Sequence, residues 1–169
     1  MNVGGLASSV LFIFTLLIVP FIITLFIKGI GSFKYPILVY DGTNSTSLIP
    51  LKDEFHFITI GQYLGKTVIL VLFALFFVYS LYFLISLFVK GPAVSFGLTS
   101  VLVLGGIILL PKFWFNPFLY VDTHQIINGA TSTLAFNDAI NYTSGLVTLF
   151  IFGALAIALS YIKFVRGVH

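Results

Sequence analysis

The chain has 169 residues, of which 59% are hydrophobic and 8% charged, and its mean hydropathy is +1.15. A soluble domain carries roughly 25% charged residues, so this composition excludes a soluble fold and predicts an integral membrane protein. The absence of cysteine excludes disulfides, thiolate metal sites and cysteine nucleophiles. The net charge of +3 comes with no basic cluster that could follow a nucleic-acid backbone.

The first hydrophobic run covers residues 5–27, contains no charged residue and is long enough to cross a bilayer. A secretory signal peptide would need a positively charged segment before the run and a small-residue cleavage pattern after it, and neither is present. We therefore interpret residues 5–27 as a retained transmembrane helix, which Pro20 should kink.

A polar stretch, residues 28–66, follows this run. Residues 35–40 have β character and Asp41-Gly42 is a turn signal, so a short hairpin is predicted there. Asp53 is placed to cap a short helix over residues 54–64, whose aromatic side chains would lie at the level of the lipid headgroups.

The segment from Gly61 to Lys66 resembles a phosphate-binding loop. Such a loop needs four residues between its glycines to wrap backbone N–H groups around phosphates, whereas three residues separate Gly61 from Gly65. A lysine at the mouth of a membrane span commonly extends toward the headgroups, so we interpret Lys66 in that way.

Two further apolar runs, residues 67–89 and 93–110, are joined by Lys90-Gly91-Pro92. Lipid offers no partner to backbone N–H and C=O groups, so both runs must be helical. Because the connection is three residues long, the two helices are predicted to run antiparallel.

A second polar stretch, residues 111–144, separates the third run from the last. Asp122 is placed to cap a short helix that reaches Asn128 and that Gly129 would end, and Asn137-Asp138 offers a cap for a later helix. Aromatic residues typical of the place where helices leave the hydrocarbon cluster at its start: Phe113, Trp114, Phe115, Phe118 and Tyr120.

The fourth span is predicted at residues 146–162 and carries Gly153, Ala156 and Ser160 along one side. Small residues at this spacing let another helix approach closely, and Gly105 and Gly106 in the third span offer the same. We interpret these five residues as a helix-packing site. Its partner could be the chain's own central helices or another membrane subunit.

The predicted fold is an all-α integral membrane protein, a single domain over residues 1–169. Four transmembrane helices form two antiparallel hairpins, and short interfacial helices lie in the two long loops. A plain count of Lys and Arg would place the long loops in the cytoplasm, but basic residues are densest in the short segments beside the spans. We therefore expect a cell-membrane protein with both termini cytoplasmic, on the side that carries Lys90, Lys163 and Arg166.

No Asp, Glu, Lys, Arg or His lies inside the four predicted spans, so the residues that build proton relays and ion sites are missing there. His56, His124 and His169 lie in loops or at the terminus. A surface metal site of His56, His124 and Asp122 is conceivable, but two solvated histidines are the favoured interpretation. We predict no enzymatic activity, no catalytic residue and no cofactor or metal.

One family resemblance adds to this. The run 116–120, the triplet 127–129 and residues 137–142 with Gly145 resemble the last extracellular segment of type-2 permeases of Gram-positive ATP-binding-cassette transporters. The resemblance covers about residues 30–165 and implies an export permease with a second permease copy and a separate cytoplasmic ATPase subunit. Such permeases have six spans, whereas four are predicted here, so the chain would be a truncated or split permease.

A second hypothesis belongs to another class. Four spans without intramembrane charge, with many aromatics and no site residues, also suit a small structural subunit of a larger membrane complex, such as a respiratory assembly. The two hypotheses differ in the partner that they require: a cytoplasmic ATPase for the permease, and other membrane subunits for the structural protein.

Overall fold

A computed structural model describes residues 19, 22, 23, 32–41 and 55–166 of the chain. The chain divides into two compact units, Met1–Tyr35 and Pro36–His169. In the first unit residues 19, 22 and 23 are helical, and a turn at residues 32–35 is closed by a hydrogen bond from the Tyr35 N–H to the Ser32 carbonyl, 3.2 Å. The span predicted at residues 5–27 otherwise lies outside the described residues.

The second unit begins with a two-stranded antiparallel ribbon of β1, Pro36–Tyr40, and β2, Phe55–Thr59. The prediction of β-structure at residues 36–40 is confirmed, although the partner strand lies beyond residues 41–54 and not directly after the Asp41-Gly42 turn. The helix predicted over residues 54–64 is wrong in its first half. Pairing with β1 along one edge holds residues 55–59 extended.

Three of the helices that follow are long and apolar enough to cross a membrane, by length and composition. They are α1, α2 and α5, and between α2 and α5 the chain forms a 3₁₀ helix and two single-turn helices. Their bounds are α1, Ile60–Ser86; α2, Pro92–Leu109; the 3₁₀ helix, Pro117–Val121; α3, Thr123–Ile127; α4, Ala130–Leu134; and α5, Tyr142–Arg166.

Helix α1 starts seven residues before the predicted span of residues 67–89 because its N-terminus is capped earlier. The Thr59 hydroxyl accepts from the Gln62 N–H at 3.2 Å, and the Gln62 amide oxygen accepts from the Thr59 N–H at 3.0 Å. This reciprocal pair is a capping box. At a rise of about 1.5 Å per residue the helix is about 40 Å long, more than a hydrocarbon core needs.

The most extensive helix–helix contact is between α1 and α5, whereas α2 packs against α1 and the 3₁₀ helix. Lys66 lies over the ring of Tyr142, 5.7 Å from its centroid, and at the opposite ends Lys163 lies over the ring of Phe88 at 5.2 Å. Since the starts of α1 and α5 meet and their ends meet, the two helices run parallel. Residues 87–91 connect α1 to α2, with Gly91 at a φ of +104° before Pro92.

The connection from α2 to α5 confirms one predicted element and corrects another. The Asp122 carboxylate accepts from the Gln125 N–H at 3.3 Å and caps α3, and Gly129 has the left-handed φ of +75° that a glycine after a helix supplies. The last helix is capped by Asn141, whose side-chain oxygen accepts from the Ser144 N–H at 3.0 Å. The predicted cap at Asn137-Asp138 instead forms a turn, since the Asn137 side chain accepts from the Ala139 N–H.

Candidate functional site

Three of the five predicted packing residues line the side of α5 that is buried in the chain. Gly153 faces the ring of Phe76 on α1, and a Cβ built on Gly153 would lie 2.5 Å from a ring atom. Ala156 and Ser160 follow on the same side, and both are buried. The Ser160 hydroxyl donates to the Ala156 carbonyl at 2.7 Å, so burial leaves it satisfied.

Aromatic rings from both helices surround this contact between α1 and α5. The ring of Phe150 is stacked on that of Phe76, with centroids 6.2 Å apart, and lies 6.3 Å from that of Phe73. Because Gly153 has no side chain, the Phe76 ring can approach the α5 backbone directly. This close approach is the geometry that small residues permit between membrane helices.

The two adjacent glycines of α2 have different surroundings. A Cβ on Gly106 would overlap the ring of Phe118 in the 3₁₀ helix, whereas a Cβ on Gly105 would meet nothing within 4 Å. The Phe118 ring in turn contacts Phe77 of α1, with centroids 5.4 Å apart. Gly106 therefore packs against the 3₁₀ helix. It is not part of the contact between α1 and α5, where Gly153, Ala156 and Ser160 lie.

The aromatic residues at the start of the second polar stretch face in two directions. Phe113, Trp114 and Phe115 are exposed, whereas Tyr120 is fully buried and Phe118 partly buried. The Tyr120 hydroxyl donates to the Trp114 carbonyl at 2.6 Å. Burial raises the pKa of Tyr120 from 10.0 to about 12, because the phenolate would lose its hydration.

The Trp114 carbonyl also accepts from the Thr148 hydroxyl on α5, at 3.3 Å. Gly145, one turn earlier on α5, lies against the Tyr120 ring, and a Cβ there would be 2.7 Å from a ring atom. The buried tyrosine thus joins the end of α2 to the beginning of α5. No pattern within one element could have indicated this pair of contacts, since Thr148 is 34 residues away from Trp114.

A polar cluster connects α1 to α3. Tyr63 Oη lies 2.6 Å from His124 Nδ1, and His124 Nε2 lies 3.3 Å from the Asn128 side-chain nitrogen. The Asn128 side-chain oxygen is engaged by the Ala130 N–H at 3.0 Å, so its amide group offers a donor to His124 Nε2. A neutral His124 satisfies both contacts when Nδ1 carries the proton and donates to Tyr63.

The same cluster is tied to the ribbon through backbone atoms. The Tyr40 N–H donates to the Asn128 carbonyl at 2.9 Å. A Cβ on Gly129 would overlap the Tyr40 carbonyl, so no side chain fits at that position. The ribbon, α3 and α4 are therefore held together by backbone contacts that only a glycine permits.

His56 and His124, the two histidines of the conceivable metal site, contact different residues and not each other. His56 Nδ1 lies 3.0 Å from both carboxylate oxygens of Asp41, at the end of the ribbon, while His124 contacts Tyr63 and Asn128. Within the described residues, no group of three or more His, Asp or Glu side chains could hold a metal ion. Residues 61–66 are helical, so that segment is not a loop that could wrap a phosphate.

The chain was compared with protein-family models, with curated proteins and with solved structures, and nothing matches in any of the three.

Proposed function

We propose that this protein is the transmembrane permease subunit of an ATP-binding-cassette export system and works with a separate cytoplasmic ATPase subunit. The observation that carries the proposal is the folded segment between α2 and α5. The resemblance to type-2 permeases implies short helices before the last span, at about residues 122–128 and 137–144. The segment has short helices at Thr123–Ile127 and Ala130–Leu134 and a turn at residues 137–141, and it is anchored to both spans through Gly106, Tyr120 and Gly145. A segment fixed in this way would transmit movement between the spans it joins.

The proposed topology has four spans in two antiparallel hairpins, with residues 5–27 as the first. The protein lies in the cell membrane with both termini and the connection at residues 87–91 on the cytoplasmic side. Lys90 and Lys163 belong to that side, where an ATPase subunit would dock. A second permease copy would complete the transport pathway, as the resemblance to type-2 permeases implies.

A structural subunit of a larger membrane complex is the second candidate. It is favoured by the charge distribution of α1, α2 and α5: their charged residues are Lys66, Lys163 and Arg166, near helix ends, and the three helices contain no acidic residue or histidine. Charged groups inside a membrane usually mark transport pathways or proton relays, and a structural subunit needs none.

The experiment is purification of the tagged full chain from its native membranes in mild detergent, with the partners identified by mass spectrometry. The permease proposal expects an ATPase subunit with a Walker motif at a stoichiometric level, and ATP hydrolysis by the reconstituted complex. Replacement of the Walker lysine in that partner should abolish hydrolysis, whereas Lys66→Ala in this chain should leave it unchanged. Oxidase or dehydrogenase subunits in place of the ATPase would overturn the permease proposal in favour of the second candidate.

A further inference from the structure

Residues 111–115 form an exposed aromatic segment, which we name the aromatic platform. Half of the surface of each of its rings is not buried against the rest of the chain. Phe113, Trp114 and Phe115 expose 50%, 50% and 52% of their surfaces. The rings are arranged against one another: Phe113 and Phe115 are stacked at 5.6 Å with an interplanar angle of 2°, and Trp114 meets Phe115 edge-on at 5.8 Å. The three rings thus pack against one another and are exposed together on one part of the surface.

The backbone beneath these rings is bonded within the protein. The Pro111 carbonyl accepts from the Phe113 N–H at 2.9 Å and from the Asn116 side chain at 3.2 Å, and the Phe113 carbonyl accepts from the Asn116 N–H at 3.0 Å. The Trp114 carbonyl accepts from two hydroxyls, those of Tyr120 and Thr148. These hydrogen bonds fix the backbone of the segment beneath its rings, and the groups they leave free can reach water in a headgroup layer but not in hydrocarbon.

The surface around the platform indicates what covers it. The platform continues the outward face of α2, where Ile108 is 76% and Leu109 81% exposed on a helix apolar enough to span a membrane. Lys112 is exposed and is the one charged residue between residues 111 and 121. Aromatic rings favour the boundary between hydrocarbon and headgroups, and a lysine beside them favours an anionic phosphate.

We propose that the aromatic platform is a phospholipid-binding element that sits in the headgroup layer, with its rings among the upper acyl carbons and Lys112 on an anionic headgroup. The buried Tyr120 and Thr148 hold the platform at the end of α2 so that its position in the bilayer is fixed. This assignment does not depend on the permease proposal.

The test uses the intrinsic fluorescence of Trp114, the only tryptophan in the chain. The full chain is reconstituted into phosphatidylcholine–phosphatidylglycerol vesicles that contain lipids brominated either near the headgroup or near the chain end. We expect stronger quenching by the shallow bromine and protection from acrylamide relative to the detergent-denatured chain. Val101→Trp in a Trp114→Phe background supplies a standard near the middle of α2, which the deep bromine should quench more strongly.

The headgroup preference is measured with the same probe. Shallow-brominated phosphatidylglycerol should occupy the site in roughly fivefold preference to its phosphatidylcholine counterpart, as one lysine near the surface provides. Lys112→Gln should remove that preference without changing the depth.

Three results would overturn the proposal. Trp114 could be open to acrylamide and insensitive to both brominated lipids, which would place it in water. It could be protected from all three quenchers, which would mean that protein covers it. It could show the depth of the Val101→Trp standard, which would place it outside the headgroup layer.

Discussion

Helices α2 and α5 bury different kinds of side chain from the segment at residues 111–141 that joins them. In the two helices nearly every buried residue is small or carries a hydroxyl: Ser95, Thr99, Gly106, Gly145, Thr148, Gly153, Ala156 and Ser160, with Leu149 as the exception. The joining segment also buries Asn116, Pro117, Gly129, Thr131 and Ser132, but its other buried side chains are large and mainly apolar: Leu119, Tyr120, Ile126, Ile127 and Ile140.

The difference follows from the solvent each region faces. Lipid tails are as apolar as leucine, so a leucine in a membrane helix gains nothing by facing protein, and close backbone approach stabilises the contact instead. Outside the hydrocarbon, burying apolar surface is worth about 25 cal/mol per Å², so large side chains are drawn inward. Hydrophobicity therefore marks mainly the surface in α2 and α5 and the interior in the joining segment, whereas α1, which contacts both helices, also buries Leu70 and Phe77.

The largest expected effect is at Gly129, where the joining segment meets the ribbon. Gly129→Ala combines a left-handed φ of +75° with overlap of the Tyr40 carbonyl, so we expect a loss of more than about 3 kcal/mol of stability. The measurement is the thermal midpoint of the purified chain in detergent.

Gly91→Ala is the control without a steric contact. Gly91 has a φ of +104° and a ψ of 134°, which alanine adopts less readily than the left-handed conformation of Gly129, and a Cβ there would meet nothing within 4 Å, so its cost of about 1–3 kcal/mol is an upper bound on the backbone cost at Gly129. A larger loss for Gly129→Ala assigns the excess to the contact with Tyr40, whereas a loss of about 1–2 kcal/mol, the usual cost of a left-handed residue, would mean that this contact does not limit stability.

The next effect concerns pH and the buried Tyr120. Burial raises its pKa from 10.0 to about 12, so between these values the unfolded chain releases a proton that the folded chain keeps. Stability is fully present below pH 10, falls as the pH rises toward 12, and loses up to about 3 kcal/mol. The measurement is the thermal midpoint as a function of pH.

Tyr120→Phe should remove the Tyr120 part of this pH dependence. It should also lower stability by about 1 kcal/mol at neutral pH, because the Trp114 carbonyl loses its shorter hydrogen bond. An unchanged fall in stability above pH 10 in Tyr120→Phe would assign the pH dependence to other groups.

Sequence patterns predicted the parts of this fold that depend on local signals. The strand at residues 36–40, the Asp122 cap of α3 and the apolar helices could be read from spacing and residue type. The capping box of Thr59 and Gln62 is also local, and it could have given the start of α1 in place of a helix at residues 54–64. The long-range contacts could not be predicted, because nothing near Trp114 indicates Tyr120 and Thr148 as its partners.

The packing site shows the same limit within the spans. Gly105 and Gly106 are equivalent in sequence, but the ring of Phe118 lies against the second alone. Small residues indicate that a helix can approach, and only the tertiary structure determines which of them it approaches.

The last prediction tests whether close approach, and not hydrophobicity, stabilises the contact between α1 and α5. Ala156→Leu adds a side chain at a buried position and should push the helices apart at a cost of about 1–3 kcal/mol. Ala158→Leu makes the same chemical change at an exposed position of the same helix and should stay within about 0.5 kcal/mol. The thermal midpoints of the two isolated variants give the comparison.

Copurification with partner subunits separates the remaining interpretations of this helix. A partner interface at Ala156 would leave the midpoint of Ala156→Leu unchanged and abolish copurification, whereas packing within the chain lowers the midpoint itself. If both leucine variants match the parent chain in both measurements, small residues on α5 do not govern its packing, and the contrast between α5 and the joining segment does not hold. If both variants lower the midpoint equally, another part of this chain covers the side of α5 that carries Ala158.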